Sequence, residues 1–165
     1  MRKTLYYIWV WLRRVLGLGP KRKFVNIYFN TTNGVWRIRP IVDVPSRACI
    51  ELRDKERVFA CDDDQAVIVH TVLELIHSCQ YSNEYSNLSG NNGWKRFVEE
   101  HVLIVATLKY SSLCFEPWVR KQKGHKSGYY AQCLTGHAVC APAGDVEKVF
   151  SALCGAKELA IKYEV

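Results

Sequence analysis

The alternation of hydrophobic and polar positions is clearest between residues 24 and 43. Two segments, FVNIYFNTT and VWRIRPIVD, flank Asn33-Gly34, a dipeptide that favours a two-residue type I′ hairpin turn. Pro40 lacks a backbone donor, which predicts that the second strand lies at a sheet edge or ends there. Alternation in the first strand predicts a buried side, formed by Val25, Ile27 and Phe29. The other side, which we expect to face solvent and call the wet side, is formed by Asn26, Tyr28 and Asn30.

Three segments carry a helical signature instead. The acids Asp62–Asp64 precede apolar residues at helical spacing, which predicts a helix over 63–79 with a buried stripe. Asn92 is a candidate cap for a second helix, and Asp145 begins a third that Gly155 would end. The stripe of the first helix comprises Ile68, Val72, Leu75, Ile76 and Cys79. One side of the second comprises Trp94, Phe97, Val98, His101, Val102 and Val105.

The remaining apolar segments are short and suit strands. Candidates before the first helix are 48–52 and 57–60. Candidates after Tyr110 are 113–121, 128–134, 137–143 and a final strand at 158–165. Helices separated by groups of strands predict an α+β fold with a mostly antiparallel sheet, an N-terminal hairpin and three main helices.

Length and charge divide the chain into two unequal parts. A chain of 165 residues is sufficient for one compact domain, which we assign to 24–165. All of the formal charge of +7 belongs to residues 1–23, which contain seven Lys and Arg and no acid. The sixteen basic and sixteen acidic residues of the remainder cancel, so the domain itself is neutral.

The basic segment 1–23 also contains an apolar run, Thr4 to Leu12. Nine residues are too few to span a bilayer, which takes about twenty in a helix. One interpretation is an interfacial anchor that buries Trp and Tyr among lipid headgroups while the cations contact anionic lipid. The other is a helix docked on its own core or on a partner.

Seven cysteines are scattered along the chain, several of them within apolar runs. No cleavable secretory signal precedes them, because paired arginines and no small-x-small site follow the apolar run. We therefore expect reduced, mostly buried thiols and a cytoplasmic protein, with the inner membrane as a peripheral site if residues 1–23 bind lipid.

Two clusters have the residue types of metal ligands. His70, Glu74 and His77 share one side of the first helix, and Cys133, His137 and Cys140 lie close together in the strand region. Solvent-facing helix positions and buried strand thiols explain both clusters without a metal. No phosphate-binding loop, activated thiol or nucleophile elbow is present, so the sequence predicts no cofactor and no enzymatic activity.

The segment WVRKQKGHKSGYY interleaves cations with aromatic residues, as single-strand nucleic-acid grooves do. An exposed lysine-rich hairpin turn is the structural alternative. A nucleic-acid-binding module or small nuclease would use the basic residues of the strands, which are Arg37, Arg39, Arg120, Lys121, Lys123, His125 and Lys126.

The order of three segments resembles the immunity proteins of bacterial contact-dependent growth inhibition and related polymorphic toxin systems. The segments are DDDQAVIVHTVLEL, GWKRFVEEHV and APAGDVEKVFSAL, and with the strand that precedes them the resemblance spans roughly residues 48–154. The resemblance implies a small cytoplasmic α+β domain that binds and blocks a cognate toxin, often a nuclease, and has no catalytic residues.

Toxin contacts are expected among polar and aromatic residues that have no role in the core. Aromatic and arginine side chains contribute much of the binding energy of tight interfaces. The candidates lie in the polar loop after the first helix and in the strand region: Tyr81, Asn83, Glu84, Tyr85, Trp118, Arg120 and Lys121. In this hypothesis the chain binds a toxin and no nucleic acid.

Overall fold

The computed structural model describes residues 2–18, 23–42, 50–79, 94–120 and 130–164. The helices in these ranges are α1 (Arg2–Val15), α2 (Gln65–His77), α3 (Trp94–Glu100) and α4 (Val146–Tyr163), with a 3₁₀ turn at Arg53–Lys55. The strands are β1 (Phe24–Asn30), β2 (Trp36–Val42), β3 (Ile50–Glu51), β4 (Arg57–Phe59), β5 (His101–Lys109), β6 (Ser112–Arg120), β7 (Tyr130–Cys133) and β8 (Val139–Pro142).

One antiparallel sheet organises the described part of the chain. Its order is β3-β2-β1-β5-β6-β7, with β4 also pairing with β2 and β8 also pairing with β6. The central pair joins β1 to β5, which are distant in sequence, and the register sets Ile27 opposite Ile104. The predicted α+β class is confirmed.

The N-terminal hairpin forms as predicted, but its turn is longer than two residues. Phe29 pairs with Trp36, and the amide of Asn30 donates to the carbonyl of Val35 at 2.9 Å. The Asn30 side-chain oxygen accepts backbone N–H bonds from Thr32 at 2.8 Å and Asn33 at 3.0 Å. This carboxamide organises a wider loop, so the prediction of a type I′ turn is wrong.

Pro40 does not place β2 at an edge, and β2 continues beyond it to Val42. Its outer side pairs with β4 over Trp36–Ile38 and with β3 over Ile41–Val42. Pro40 lies between these two ladders, opposite the 3₁₀ turn that connects β3 to β4. The missing donor coincides with an interruption of the outer ladder.

The hydrophobic core lies between α2, α4 and one face of the sheet, which we call the first face. The predicted stripe of α2 is confirmed, and the side chain of Asp64 caps the helix by accepting from the amide of Ala66 at 2.8 Å. Residues of α4 close the core against β6 and β8. The core residues from the strands include Val25, Ile27, Trp36, Ile38, Ile104, Ala106, Leu113, Phe115 and Ala141.

The second helix ends earlier than predicted. It stops at Glu100, and His101, Val102 and Val105 belong to strand β5. The apolar run HVLIVATL contains four β-branched residues, which suit a buried strand better than a helix. A short buried run fits both periodicities, and the pairing with β1 decides between them.

The third helix, α4, continues through Gly155 to Tyr163, so the predicted stop and the final strand are both wrong. Its start is as predicted, because the side chain of Asp145 caps the helix by accepting from the amide of Lys148 at 3.1 Å. Ala156 and Ala160 are fully buried and extend the inward face past the glycine. Packing against the sheet compensates for the low helix propensity of one glycine.

The expectation of reduced cysteines is wrong for one pair. Cys114 on β6 and Cys140 on β8 lie opposite each other in the sheet and form a disulfide. Antiparallel pairing of the two strands brings these residues together across 26 positions of sequence. Among the described residues, the free thiols are Cys61, Cys79, Cys133 and Cys154.

Candidate functional site

The second face of the sheet, opposite α2 and α4, collects polar and aromatic side chains. Strand register places them in rows: Tyr28 lies between Arg37 and Leu103, and Leu103 lies opposite Trp118. Cys133 of β7 follows in the same row. We call the residues that project from this side the second face.

The predicted wet side of β1 belongs to the second face, and two of its three residues are buried. Tyr28 is 1% exposed and Asn30 is 5% exposed. Phe97 of α3 contacts the Tyr28 ring edge-on, with centroids 5.0 Å apart. The prediction of a solvent-facing side is therefore wrong for Tyr28 and Asn30, because α3 folds over them.

Arg39 is the centre of a buried ion-pair network on this face. It is 6% exposed, and its guanidinium contacts Glu56 at 2.6 Å and Glu51 at 3.3 Å. Arg37 contacts the other oxygen of Glu56 at 2.7 Å. Burial alone would lower the pKa of Arg39, but the two carboxylates outweigh it and raise the pKa.

Glu51 completes the network from β3. Its Oε1 accepts hydrogen bonds from the Asn26 amide and the Tyr28 hydroxyl. These bonds tie β3 to β1 across β2, because Asn26 and Tyr28 project from β1. The Glu51 carboxylate and the Arg39 guanidinium thus both have partners, which is what a buried charge requires to be tolerated.

Aromatic rings cover the Arg39 guanidinium. Its carbon lies 4.3 Å from the Phe97 ring centroid and 4.8 Å from that of Tyr28. Phe97 in turn stacks on His101, with centroids 4.0 Å apart and an 18° interplanar angle. The cation is held between rings and carboxylates, so α3 and the edge strands are fixed in one arrangement.

His101 anchors the other end of this cluster. It is 3% exposed, and its Nδ1 lies 2.7 Å from the Phe97 carbonyl, which assigns the proton to Nδ1. Nε2 then faces the Asn30 amide at 3.5 Å. Burial lowers the pKa of His101, and the charges of Arg37 and Arg39 act in the same direction.

The middle of the second face is less covered. Trp118 is half-buried, and its indole N–H is buried without a hydrogen-bond acceptor among the described residues. Beside it, Glu116 accepts from the Lys109 ammonium at 3.1 Å. Burial and the Glu116 carboxylate raise the pKa of the Cys133 thiol, the opposite of an activated nucleophile.

Arg120 has a partner inside the molecule. A register irregularity falls between Val119 and Arg120, and the Arg120 guanidinium contacts Glu164, the residue after α4, at 2.8 Å. Burial raises the pKa of Glu164 in spite of this cation. Of the predicted toxin contacts, Trp118 and Arg120 are described; those outside the described residues are Tyr81, Asn83, Glu84, Tyr85 and Lys121.

Neither candidate metal cluster is supported by the described residues. His70, Glu74 and His77 are exposed on α2, and no group of three ligands close enough for a metal occurs in the part of the chain that the structure describes. Cys140 is bonded to Cys114, which removes one ligand from its cluster. The disulfide also excludes Cys140 as a nucleophile.

The described arginines of the nucleic-acid hypothesis are all ion-paired. Arg37, Arg39 and Arg120 contact glutamates at 2.6–2.8 Å, and Arg39 is enclosed. A phosphate would have to displace these carboxylates. The remaining basic candidates, Lys121, Lys123, His125 and Lys126, lie outside the described residues.

Sequence reasoning missed Glu51 and Glu56. Arg37 and Arg39 stand two positions apart on a strand, which puts both cations on one side of the sheet. Cations beside apolar neighbours on a covered strand require carboxylates, and Glu51 and Glu56 are the two glutamates of the segment that returns to pair with β2. That pattern was the available signal.

The fold is shared with two solved structures. A protein of unknown function from Neisseria meningitidis, NMB0488, aligns with a TM-score of 0.61 and 10% identity over 84% of this chain and 95% of its own. A chain of the CdiA-CT/CdiI toxin and immunity complex from Yersinia pseudotuberculosis aligns with a TM-score of 0.55 and 7% identity over 84% and 97%.

At these identities the likeness establishes the fold. No model of a protein family matches the sequence, and no curated protein matches it.

Proposed function

We propose that this chain is an immunity protein of a contact-dependent growth inhibition system, which binds a cognate toxin domain in the cytoplasm and blocks it without catalysis. The carrying observation is the likeness, over 84% of this chain, to a chain of a toxin and immunity complex. The order of segments in the sequence points independently to the same class of protein. The toxin we expect is a nuclease.

The chemistry of the second face supports a binding role. Trp118 provides a large half-buried ring, and Glu116 and Lys109 supply charge beside it. An aromatic anchor at the centre with polar and charged groups at its rim is the composition of tight interfaces. We therefore place the toxin-binding surface on the second face around Trp118.

The ion-pair network gives this surface a fixed shape. Arg39 joins β2 to Glu51 of β3 and to Glu56 beside β4, while Phe97 closes over it. A surface that is ordered before binding loses less conformational entropy when the partner docks. The network thus acts as a support for the contacts and is not itself the contact surface.

Co-expression tests the proposal. The toxin domain encoded directly upstream is induced in a bacterial host with and without the full chain, and growth is followed. We expect the chain to restore growth. Growth arrest despite soluble, folded chain would contradict the proposal, as would the absence of a toxin domain upstream.

Matched variants locate the surface. Glu116→Lys reverses a charge on the second face, whereas Glu158→Lys makes the same reversal on the exposed side of α4. Both variants are first checked by thermal unfolding, since Glu116 also pairs with Lys109. Loss of protection for Glu116→Lys alone supports the assigned surface, and equal protection by both would place the contact elsewhere.

A further inference from the structure

Helix α1 exposes apolar side chains to an unusual extent. Trp11 is 62% exposed, Leu5 is 65% exposed, and Leu16, directly after the helix, is 66% exposed. No side chain described in α1 or at residues 16–18 is buried. The interpretation of α1 as a helix docked on its own core is therefore not supported in the described part of the chain.

The exposed residues are arranged by helical period. Leu5, Leu12 and Leu16, with Ile8 or Trp9 between the first two, are three or four residues apart, which aligns these five along one side of a helix. The exposed Trp11 and Val15 lie beyond the Ile8 edge of this side. Fourteen residues rise about 21 Å at 1.5 Å each, short of the roughly 30 Å of a bilayer core. Within the described ranges, no helix combines the length and hydropathy needed to cross a membrane.

The same segment carries the charge of the molecule. Seven Lys and Arg and no acid occur in residues 1–23, whereas the remainder is neutral. The Arg13 guanidinium lies 4.6 Å from the Trp9 ring centroid, so a cation adjoins the apolar side. Apolar rings with flanking cations match the two layers of an anionic membrane surface, which are acyl chains and phosphate groups.

Charge also distinguishes a lipid surface from a second copy of this chain. Pairing two α1 helices through their apolar sides would bring together two segments that have seven cations each and no acid. Repulsion opposes that pairing, whereas anionic lipid neutralises the same charges. We propose that α1 lies flat in the interface of an anionic membrane and holds the domain at its surface.

Vesicle binding by the full chain tests this proposal. We expect the protein to sediment with vesicles that contain phosphatidylglycerol and to remain in solution with phosphatidylcholine alone. Leu12→Asp, which alters the apolar side and keeps every cation, should abolish binding. Leu12 is 43% exposed, so thermal unfolding of this variant should match that of the unmodified chain.

Two double variants distinguish the effect of the cations in α1 from the effect of the net charge of the protein. Arg13→Gln with Arg14→Gln should weaken binding about 25-fold, because each cation near an anionic surface contributes about fivefold. Lys55→Gln with Arg57→Gln removes the same charge from exposed positions of the neutral domain and should leave binding unchanged. Equal weakening by both pairs would overturn the proposal.

Sedimentation without lipid tests whether a second copy of the chain, instead of lipid, covers the apolar side of α1. A dimer that Leu12→Asp dissociates would show that α1 covers a second copy and would overturn the lipid assignment. Absence of binding to anionic vesicles at low salt would also overturn it. Protection against the toxin is measured separately, so membrane binding and the proposed function fail independently.

Discussion

Arg39 contributes to both the fold and the candidate site because its guanidinium joins elements that are distant in sequence. It projects from β2, pairs with Glu51 and Glu56, and lies beneath the ring of Phe97. Removing one partner from a buried ion pair leaves the others desolvated and unpaired. The network should therefore be sensitive at this position.

We expect Arg39→Ala to lower the free energy of unfolding by about 3–5 kcal/mol, since Glu51 would lose its cation and Glu56 would keep only Arg37. Urea unfolding followed by circular dichroism measures the change. Arg57→Ala, at an exposed position of β4, should change stability by less than about 0.5 kcal/mol. A similar small effect at Arg39 would contradict the structural role of the network.

His101 predicts a pH dependence. Because burial lowers its pKa, the native state favours the neutral ring, and the unfolded chain binds a proton first as the pH falls. The stability associated with His101 should be full above about pH 6.5 and decline as the pH falls towards the lower native pKa. His101→Gln removes this titration. Lowering the pH from 7.5 to 5, a span of about 2.5 pH units, should therefore destabilise the variant less than the unmodified chain. An unchanged slope would contradict the assignment.

The chemistry of single residues could be anticipated only where it is local. Asp64 and Asp145 cap the starts of helices as their sequence positions indicate. The roles of Tyr28 and Asn30 could not be anticipated, because their burial depends on α3, which begins 64 positions after Asn30. Periodicity identifies two sides of a strand but not which sides another element covers.

At the scale of elements, α2 and the hairpin could be predicted because each has its own periodicity and its own start or turn signal. The boundary between α3 and β5 could not, because the apolar run from His101 suits both a helix and a buried strand. Pairing with β1 determines the outcome. The sequence likewise underestimates the length of α4, because Gly155 indicates a helix end whereas the buried alanines that follow it extend the helix.

Two glycines test these element boundaries. Gly155 lies within α4, and an added Cβ would meet nothing within 4 Å, so Gly155→Ala should stabilise the protein by about 0.5–1 kcal/mol. Gly34 has φ +71° and an added Cβ would lie 3.4 Å from the Cys61 sulfur, so Gly34→Ala should destabilise by about 1–2 kcal/mol. Chemical denaturation measures both. Destabilisation by Gly155→Ala would show that α4 stops at the glycine.

At the scale of the whole molecule, charge and core occupy different parts of the chain. The described core residues begin at Val25, whereas the net charge of +7 belongs to residues 1–23. We expect a chain of residues 24–165 to fold with an unfolding midpoint close to that of the full chain and a formal charge of zero. Thermal unfolding followed by circular dichroism tests this expectation. Loss of cooperative unfolding would show that α1 is part of the core.

The α+β class follows from the sequence because alternation and helical spacing report it directly. The order of strands does not, because the pairing of β1 with β5 joins segments separated by about 75 residues, with no local signal for the choice. The second face arises from that pairing and from the return of Glu51 and Glu56 to β2. The candidate surface is thus a product of topology, and Trp118 is the one predicted toxin contact among its described residues.

Titration of the full chain with its cognate toxin domain, followed by calorimetry, tests the central claim most directly. We expect saturable one-to-one binding that Glu116→Lys weakens by at least tenfold through charge reversal on the second face, and that Glu158→Lys leaves unchanged. Binding that neither variant alters would contradict the assigned surface. Absence of heat and of complex formation, with both proteins folded, would contradict the proposal that this chain is an immunity protein.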